Sequence, residues 1–399
     1  VPTDLATRVQ FPGVAMSSST AQPLMRDAPL KTRLLAPLLR RLRFPALPDH
    51  PKLGKWYRIT PPGAVSANGE PYHGSIRLGS ENKLIVMFHG GGVSWNEYMA
   101  ARPASMYSKP SGSTFYASDS DLVADLVTAH GVGSSKDGNP FRNWSMISIS
   151  YGSGDFHVGT ADYPYTGLDG QQRTLHHHGY TNYRAVMQEA MKLVGRSPEQ
   201  IVVTGFSAGG FGTALLTDDI MHLFPDCGDV TCCVDGAFML YDGWRDAAER
   251  VWQAPPEVVE RIHSDNLVLD ALQALRRDHG TRVRTLFVSS TRDVALAEYW
   301  TYVATGDLAA DSEAGIAYQR DLKVMCDALR EDDPDVGLFI YDTPVPALMK
   351  AQRAAGLTTH CIINSRQAER VRVDGVTPLE WLWLGVQGRP SQVGLALLG

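Results

Sequence analysis

Cysteine is scarce in this chain of 399 residues, with five in all at positions 227, 232, 233, 326 and 361. So odd and sparse a count excludes the dense disulfide framework that staples small secreted domains. No two C-x-x-C clusters face each other, which removes a structural zinc site of that type. Sparse thiols favour a reducing, cytoplasmic setting; because the chain starts at Val1, secretion with a removed signal peptide is the alternative. A Cys227 pairing with Cys232 or with Cys233 stays open at this level. Long apolar runs are lacking too. Crossing a bilayer takes roughly 18 such residues, and the runs at 84–88 and 287–288 are strand-sized. A basic excess is also missing: 37 Lys and Arg stand against 43 Asp and Glu, for a net charge of −6. That balance disfavours a nucleic-acid partner.

What is present is material for a large core. Hydrophobic residues make up 44%, including 8 Trp, 15 Tyr and 12 Phe, which excludes wholesale disorder. The 37 glycines and 24 prolines imply many turns and long loops. Residues 1–50 read as an N-terminal arm and 51–399 as one catalytic domain, because no Pro/Gly/Ser linker separates two halves. Within the arm, residues 30–44 are basic and leucine-rich. They suit either a membrane-surface helix or a kinked segment packing on the domain; Pro37 interrupts the apolar face and favours packing.

From Trp56 onward the pattern becomes strand and helix in alternation. Residues 56–60 and 74–78 alternate like half-buried strands. Residues 83–88, 144–151, 201–204, 285–289 and 337–341 are near-continuous apolar runs, and 182–194 has helical spacing. Buried strands alternating with helices predict a mainly parallel sheet covered on both faces, an α/β fold. Residues 93–143 form a long polar insertion, of the size that usually shapes a binding site.

Gly205-Phe206-Ser207-Ala208-Gly209 follows one of these strands directly and opens a helix. A serine flanked by small residues at a sharp strand-to-helix turn projects its hydroxyl above the sheet's carboxyl edge, as a nucleophile must. The helix N-terminus behind it favours developing negative charge. An earlier strand runs into His89-Gly90-Gly91-Gly92. Acyl transfer needs preorganised N–H donors for the tetrahedral oxyanion, and Gly91, Gly92 and Ala208 are the expected donors. The order serine, acid, histidine then directs attention downstream. Asp293 follows the 285–289 strand, with Asp307 and Asp342 as rivals. His360 is the only histidine after His279, and the natural candidate base.

Other polar groups fit less directly. Asp155 and His157 precede the nucleophile, the wrong order for a triad, and read as pocket-rim groups or as loop-ordering hydrogen bonds. Of His176-His177-His178, adjacent side chains cannot all face one ion, and no Cys or carboxylate pattern completes a site. One of them is expected at the pocket border or at the cap of the following helix, and no metal is expected. Trp95 and His178 join Asp155 and His157 as substrate-binding candidates.

The segments HGGGVSWN (89–96), NPFRNWSMISISYGSGDFHVG (139–159), HHHGYTNYRAVM (176–187) and GFSAGGFG (205–212) together resemble the pectin acetylesterase/Notum family of carboxylesterases. The similarity runs over about residues 55–385, and its GDFHVG and HHHGY forms look closer to bacterial members than to plant ones. It implies an α/β-hydrolase-like fold and removal of acyl groups from oxygen. Plant members deacetylate pectin, and Notum removes a fatty acyl group from a secreted signalling protein. By motif, Ser207, Asp293 and His360 resemble that family's nucleophile, acid and base, and Gly91, Gly92 and Ala208 its oxyanion donors. Plant and animal members carry many cysteines, one of them after the glycine loop, where this chain has Ser94. The usual Trp within that loop is missing, with Trp95 nearby. The expected function is a serine carboxylesterase acting on acetylated carbohydrate. A fatty-acyl esterase and an inactive glycan- or partner-binding protein are the alternatives. The expected partner is a small-molecule or glycan acyl ester; no organic cofactor, nucleic acid or membrane span is expected.

Overall fold

The protein, studied as a computed structural model, is described over residues 43–105, 112–119, 124–195 and 197–399. Nine strands form one central sheet. In chain order they are β1 (Trp56–Ile59), β2 (Gly74–Arg77), β3 (Lys83–Phe88), β4 (Ser145–Ile149), β7 (Gln200–Phe206), β8 (Val230–Asp235), β9 (Val283–Ser290), β10 (Gly337–Tyr341) and β11 (Gln392–Val393). A separate antiparallel hairpin, β5 (Ala161–Thr166) and β6 (Gln172–His177), lies outside it. Across the sheet the order is β1-β2-β4-β3-β7-β8-β9-β10-β11. From β4 to β11 all neighbours are parallel, and only β2 runs against the rest, antiparallel to both β1 and β4.

The parallel strands are apolar on both faces because helices cover both. Along β3, Leu84, Val86 and Phe88 enter one core cluster while Ile85 and Met87 enter the other. The first cluster lies under α1 (Gly179–Val194), α2 (Ala208–Leu223), α3 (Leu267–His279) and α5 (Ser312–Asp332). The second lies under α6 (Pro378–Val386), whose Trp381 is fully buried. Between α3 and α5, α4 (Val294–Thr305) leaves the end of β9. Helix α1 starts earlier than its spacing predicts, at Gly179, because β6 ends just before it and Asp155 accepts a hydrogen bond from the Gly179 amide.

Most of the basic arm falls outside the described residues. Its last part runs along β1: Phe44 stacks on Trp56 with ring centroids 5.4 Å apart, and the Leu47 and Arg58 amides bond to carbonyls across the two segments. All five cysteines are free thiols. Cys232 and Cys233 are consecutive on β8, so they point to opposite faces and join different core clusters. Neither pairs with Cys227. No helix among the described residues is long and apolar enough to cross a membrane.

Candidate active site

The carboxyl edges of β3, β7, β8 and β9 converge on one place. Ser207 ends β7 and caps α2 with φ 57° and ψ −130°, a conformation that L-residues rarely adopt. The surroundings enforce it. The Ser207 amide donates to the Asp235 carbonyl at 2.9 Å, and its carbonyl accepts from Gly210. Close packing explains the neighbouring glycine: a Cβ on Gly90 would come within 2.4 Å of Ser207 Cβ and 2.5 Å of the Phe206 carbonyl. The glycine loop therefore lies directly against the Ser207 elbow.

That loop is tied down by its carbonyls, which leaves its amides free. The Gly91 carbonyl accepts from the Ala117 amide at 2.7 Å, and the Gly92 carbonyl accepts from the Tyr151 hydroxyl at 2.8 Å. Among the described residues no hydrogen bond engages the amides of Gly91, Gly92 or Ala208. Gly92 has φ +75°.

Asp293 lies just beyond β9 and is fully buried. One carboxylate oxygen caps α4 by accepting from the amides of Ala295 and Leu296, which fixes its orientation. His360 Nδ1 lies 2.8 Å from both carboxylate oxygens. A buried carboxylate can only accept, so Nδ1 carries the proton and Nε2 is left as a base. That Nε2 is buried and without a hydrogen-bond partner. Burial alone would depress the imidazole; the charge and hydrogen bond of Asp293 outweigh it and hold His360 above its ordinary value. The rivals are elsewhere in character: Asp307 and Asp342 are both exposed and make no contact with His360.

Asp235, at the end of β8, escaped the sequence reading because it looks like an ordinary strand terminus. Its carboxylate is fully buried, and one oxygen accepts from the amides of Ile362 and Ile363, both at 2.8 Å. One residue thus anchors the loop carrying His360 and, through its carbonyl, the elbow carrying Ser207. Burial pushes this carboxyl up to about 6 despite those two amides. Between the two loops, a Cβ on Gly236 would come within 2.5 Å of Cys361 Sγ and 3.2 Å of His360 Cε1. Glu298, on α4, is a second group that sequence reasoning missed. Burial raises its carboxyl, and its charge adds to the field holding the His360 imidazolium up.

The expected substrate-binding residues require correction. Asp155 and His157 are not on a pocket rim: they are 0% and 1% exposed. Asp155 accepts from Ser153 Oγ and from the amides of His157 and Gly179. His157 Nε2–H donates to the His89 carbonyl at 2.8 Å, bracing the root of the glycine loop. Burial pushes Asp155 up to about 6 and His157 down to about 4. Both belong to the scaffold because the loop after β4 folds inward, with Phe156 and His157 at positive φ. Trp95 is also buried, at 6%, with its ring against Tyr241, Trp244, Tyr299 and Tyr302. His178 precedes α1 and turns its ring to Asp162, 2.9 Å away.

A serine on a strained strand–helix elbow, a glycine loop against it and a histidine–aspartate pair beyond the strand next to it define the α/β-hydrolase class. Residues 67–260 match the pectinacetylesterase family model. Pectin acetylesterase 4 from Arabidopsis thaliana is 28% identical over 177 residues, which are 44% of this chain and 40% of that protein. Pectin acetylesterase 5 from the same plant is 27% identical, over 44% of this chain and 38% of its own length. The alignments therefore span about two fifths of these curated relatives. In fold, the chain is similar to the Wnt deacylase Notum from Drosophila, with a TM-score of 0.54 at 16% identity, covering 84% of this chain and 95% of that one. Residues 67–260, just under half of the chain, thus resemble the pectin acetylesterases, and the fold is an α/β-hydrolase fold similar to that of Notum.

Proposed function

We propose that the protein is a serine carboxylesterase that hydrolyses O-acyl esters, with acetyl groups on a carbohydrate as its substrate class. The observation that carries this reading is the His360–Asp293 pair, with Nδ1 committed to a buried carboxylate and Nε2 left unpartnered. In the reaction, Ser207 Oγ attacks the ester carbonyl while His360 Nε2 takes its proton. The amides of Gly91, Gly92 and Ala208 receive the developing oxyanion, and the tetrahedral intermediate collapses as His360 protonates the leaving alcohol. Water, activated by the same imidazole, then releases the acid from the acyl-enzyme. Asp293 holds the tautomer and supports the imidazolium.

The acetyl preference rests on the similarity to pectin acetylesterases and on loop chemistry. The 93–143 segment is rich in Ser, Asn, Asp and Gly, suited to sugar hydroxyls. A long acyl chain needs a sustained apolar tunnel that gains about 0.8 kcal/mol per buried CH₂. The test uses a fluorophosphonate probe and a p-nitrophenyl ester series. Wild type is expected to be labelled and Ser207→Ala to be unlabelled, folded and nearly inactive. kcat/KM is expected to fall from acetate to octanoate. A rise through C8 would replace the acetylesterase reading with a fatty-acyl one. A folded wild type that is neither labelled nor active would mean a binding protein.

A further inference from the structure

Strand alternation resolves the three consecutive histidines in a way that adjacency in sequence does not suggest. His177 turns inward, is fully buried and places Nδ1 2.8 Å from the Ser153 carbonyl. His176 and His178 share the opposite face, as residues two apart on extended chain must. Asp162 stands directly across the hairpin from His176 in the β5–β6 register. Its Oδ1 lies 2.6 Å from His176 Nδ1 and 2.9 Å from His178 Nε2. The carboxylate that the sequence pattern lacked therefore arrives from fourteen positions away along the chain.

We propose that Asp162, His176 and His178 form a binding site for a borderline divalent transition ion such as Zn²⁺ or Cu²⁺. One ligand atom from each residue falls within 4.8 Å of the others, and no other such trio occurs among the described residues. Two imidazole nitrogens and one carboxylate oxygen suit these ions and not Mg²⁺ or Ca²⁺, which take oxygen ligands. Ligand bonds of about 2.0–2.2 Å in a tetrahedral site need Asp162 and the two imidazoles to move apart by about half an ångström or more. Asp162 can do this because its side chain is 62% exposed. Its charge is also uncompensated: among the described residues it pairs only with the two histidines. The comparable surface group around Asp218, with His279 and His222, differs on this point, since Arg261 already places a cation 2.9 Å from that carboxylate. Three protein ligands leave a coordination position for water. The bound ion would join the two hairpin strands to the start of α1.

The site is independent of the esterase reading. Its test is calorimetric titration of ZnCl₂ into the untagged full chain after EDTA treatment and dialysis. About one equivalent is expected to bind with micromolar affinity and to raise the melting temperature. His178→Ala and the milder Asp162→Asn should each weaken binding at least tenfold, while His222→Ala leaves it unchanged. Circular dichroism confirms that each variant is folded. With Cu²⁺, electron paramagnetic resonance should show coupling to imidazole nitrogen that diminishes in His178→Ala. No saturable binding up to millimolar Zn²⁺, or binding that survives both site substitutions in folded protein, would overturn the proposal.

Discussion

His360 is where most of the chemistry of the proposed reaction meets, and its neighbours have separable effects. Asp293 accepts at Nδ1 and is locked by its capping role on α4. Asp293→Asn is expected to lower kcat by orders of magnitude, because an amide can stabilise the wrong tautomer. Asp342→Asn, on an exposed side chain, should stay near wild type. A mild Asp293→Asn beside a crippled Asp342→Asn would reverse the assignment of the acid. Glu298 adds its charge to the field at His360. Its carboxylate holds the imidazolium up, so Glu298→Gln should lower the His360 pKa and move the acid limb of the kcat/KM profile to lower pH. A limb that stays in place, or moves up, would show that Glu298 does not act on the base.

At the scale of elements, the site is a joint between loops from four strand ends, held by backbone contacts that only glycine allows. Gly90 is the one packed against Ser207. In Gly90→Ala the added Cβ meets the Phe206 carbonyl, which is backbone and cannot swing away. The glycine loop must then lift from the elbow, and its amides leave the oxyanion position. The expected result is a loss of kcat of at least a hundredfold, with KM for a short ester changing much less. Unaltered turnover would mean that this loop is not the oxyanion donor. Behind it, the loop after β4 acts as a brace: Asp155 orders its own turn, and His157 holds the His89 carbonyl.

Across the whole molecule, buried titratable groups set a pH dependence of stability with opposing signs. Burial pushes His89 and His177 down to about 3 and His157 down to about 4. Such groups stabilise the fold fully above pH 6.5, and the contribution is lost as pH falls toward those values. Burial pushes Asp155 and Asp235 up to about 6. They act oppositely: their contribution is present below about pH 4 and is lost as pH rises through 6. Near pH 5 three imidazoles outweigh two carboxyls. The fold should therefore be less stable at pH 5 than at pH 7. Thermal unfolding at the two pH values checks this. A melting temperature equal or higher at pH 5 would show that the carboxyls dominate.

Local chemistry alone was enough for the class of fold and for naming a candidate triad. Apolar runs at 83–88, 201–204, 285–289 and 337–341 can only be buried parallel strands. A serine between glycines at the end of one, and a solitary late histidine, have few other uses. Tertiary structure decided everything that depends on which face a side chain takes, or on residues distant in sequence. Asp155 and His157 look like rim groups until the loop after β4 folds inward and buries them. Asp235 becomes an anchor only when β8 lies beside β7 and the His360 loop closes over its end. The three histidines are ambiguous as a string, because adjacent side chains on an extended chain alternate. Only the hairpin's register, which sets Asp162 opposite His176, shows which two face the same way and what they meet there.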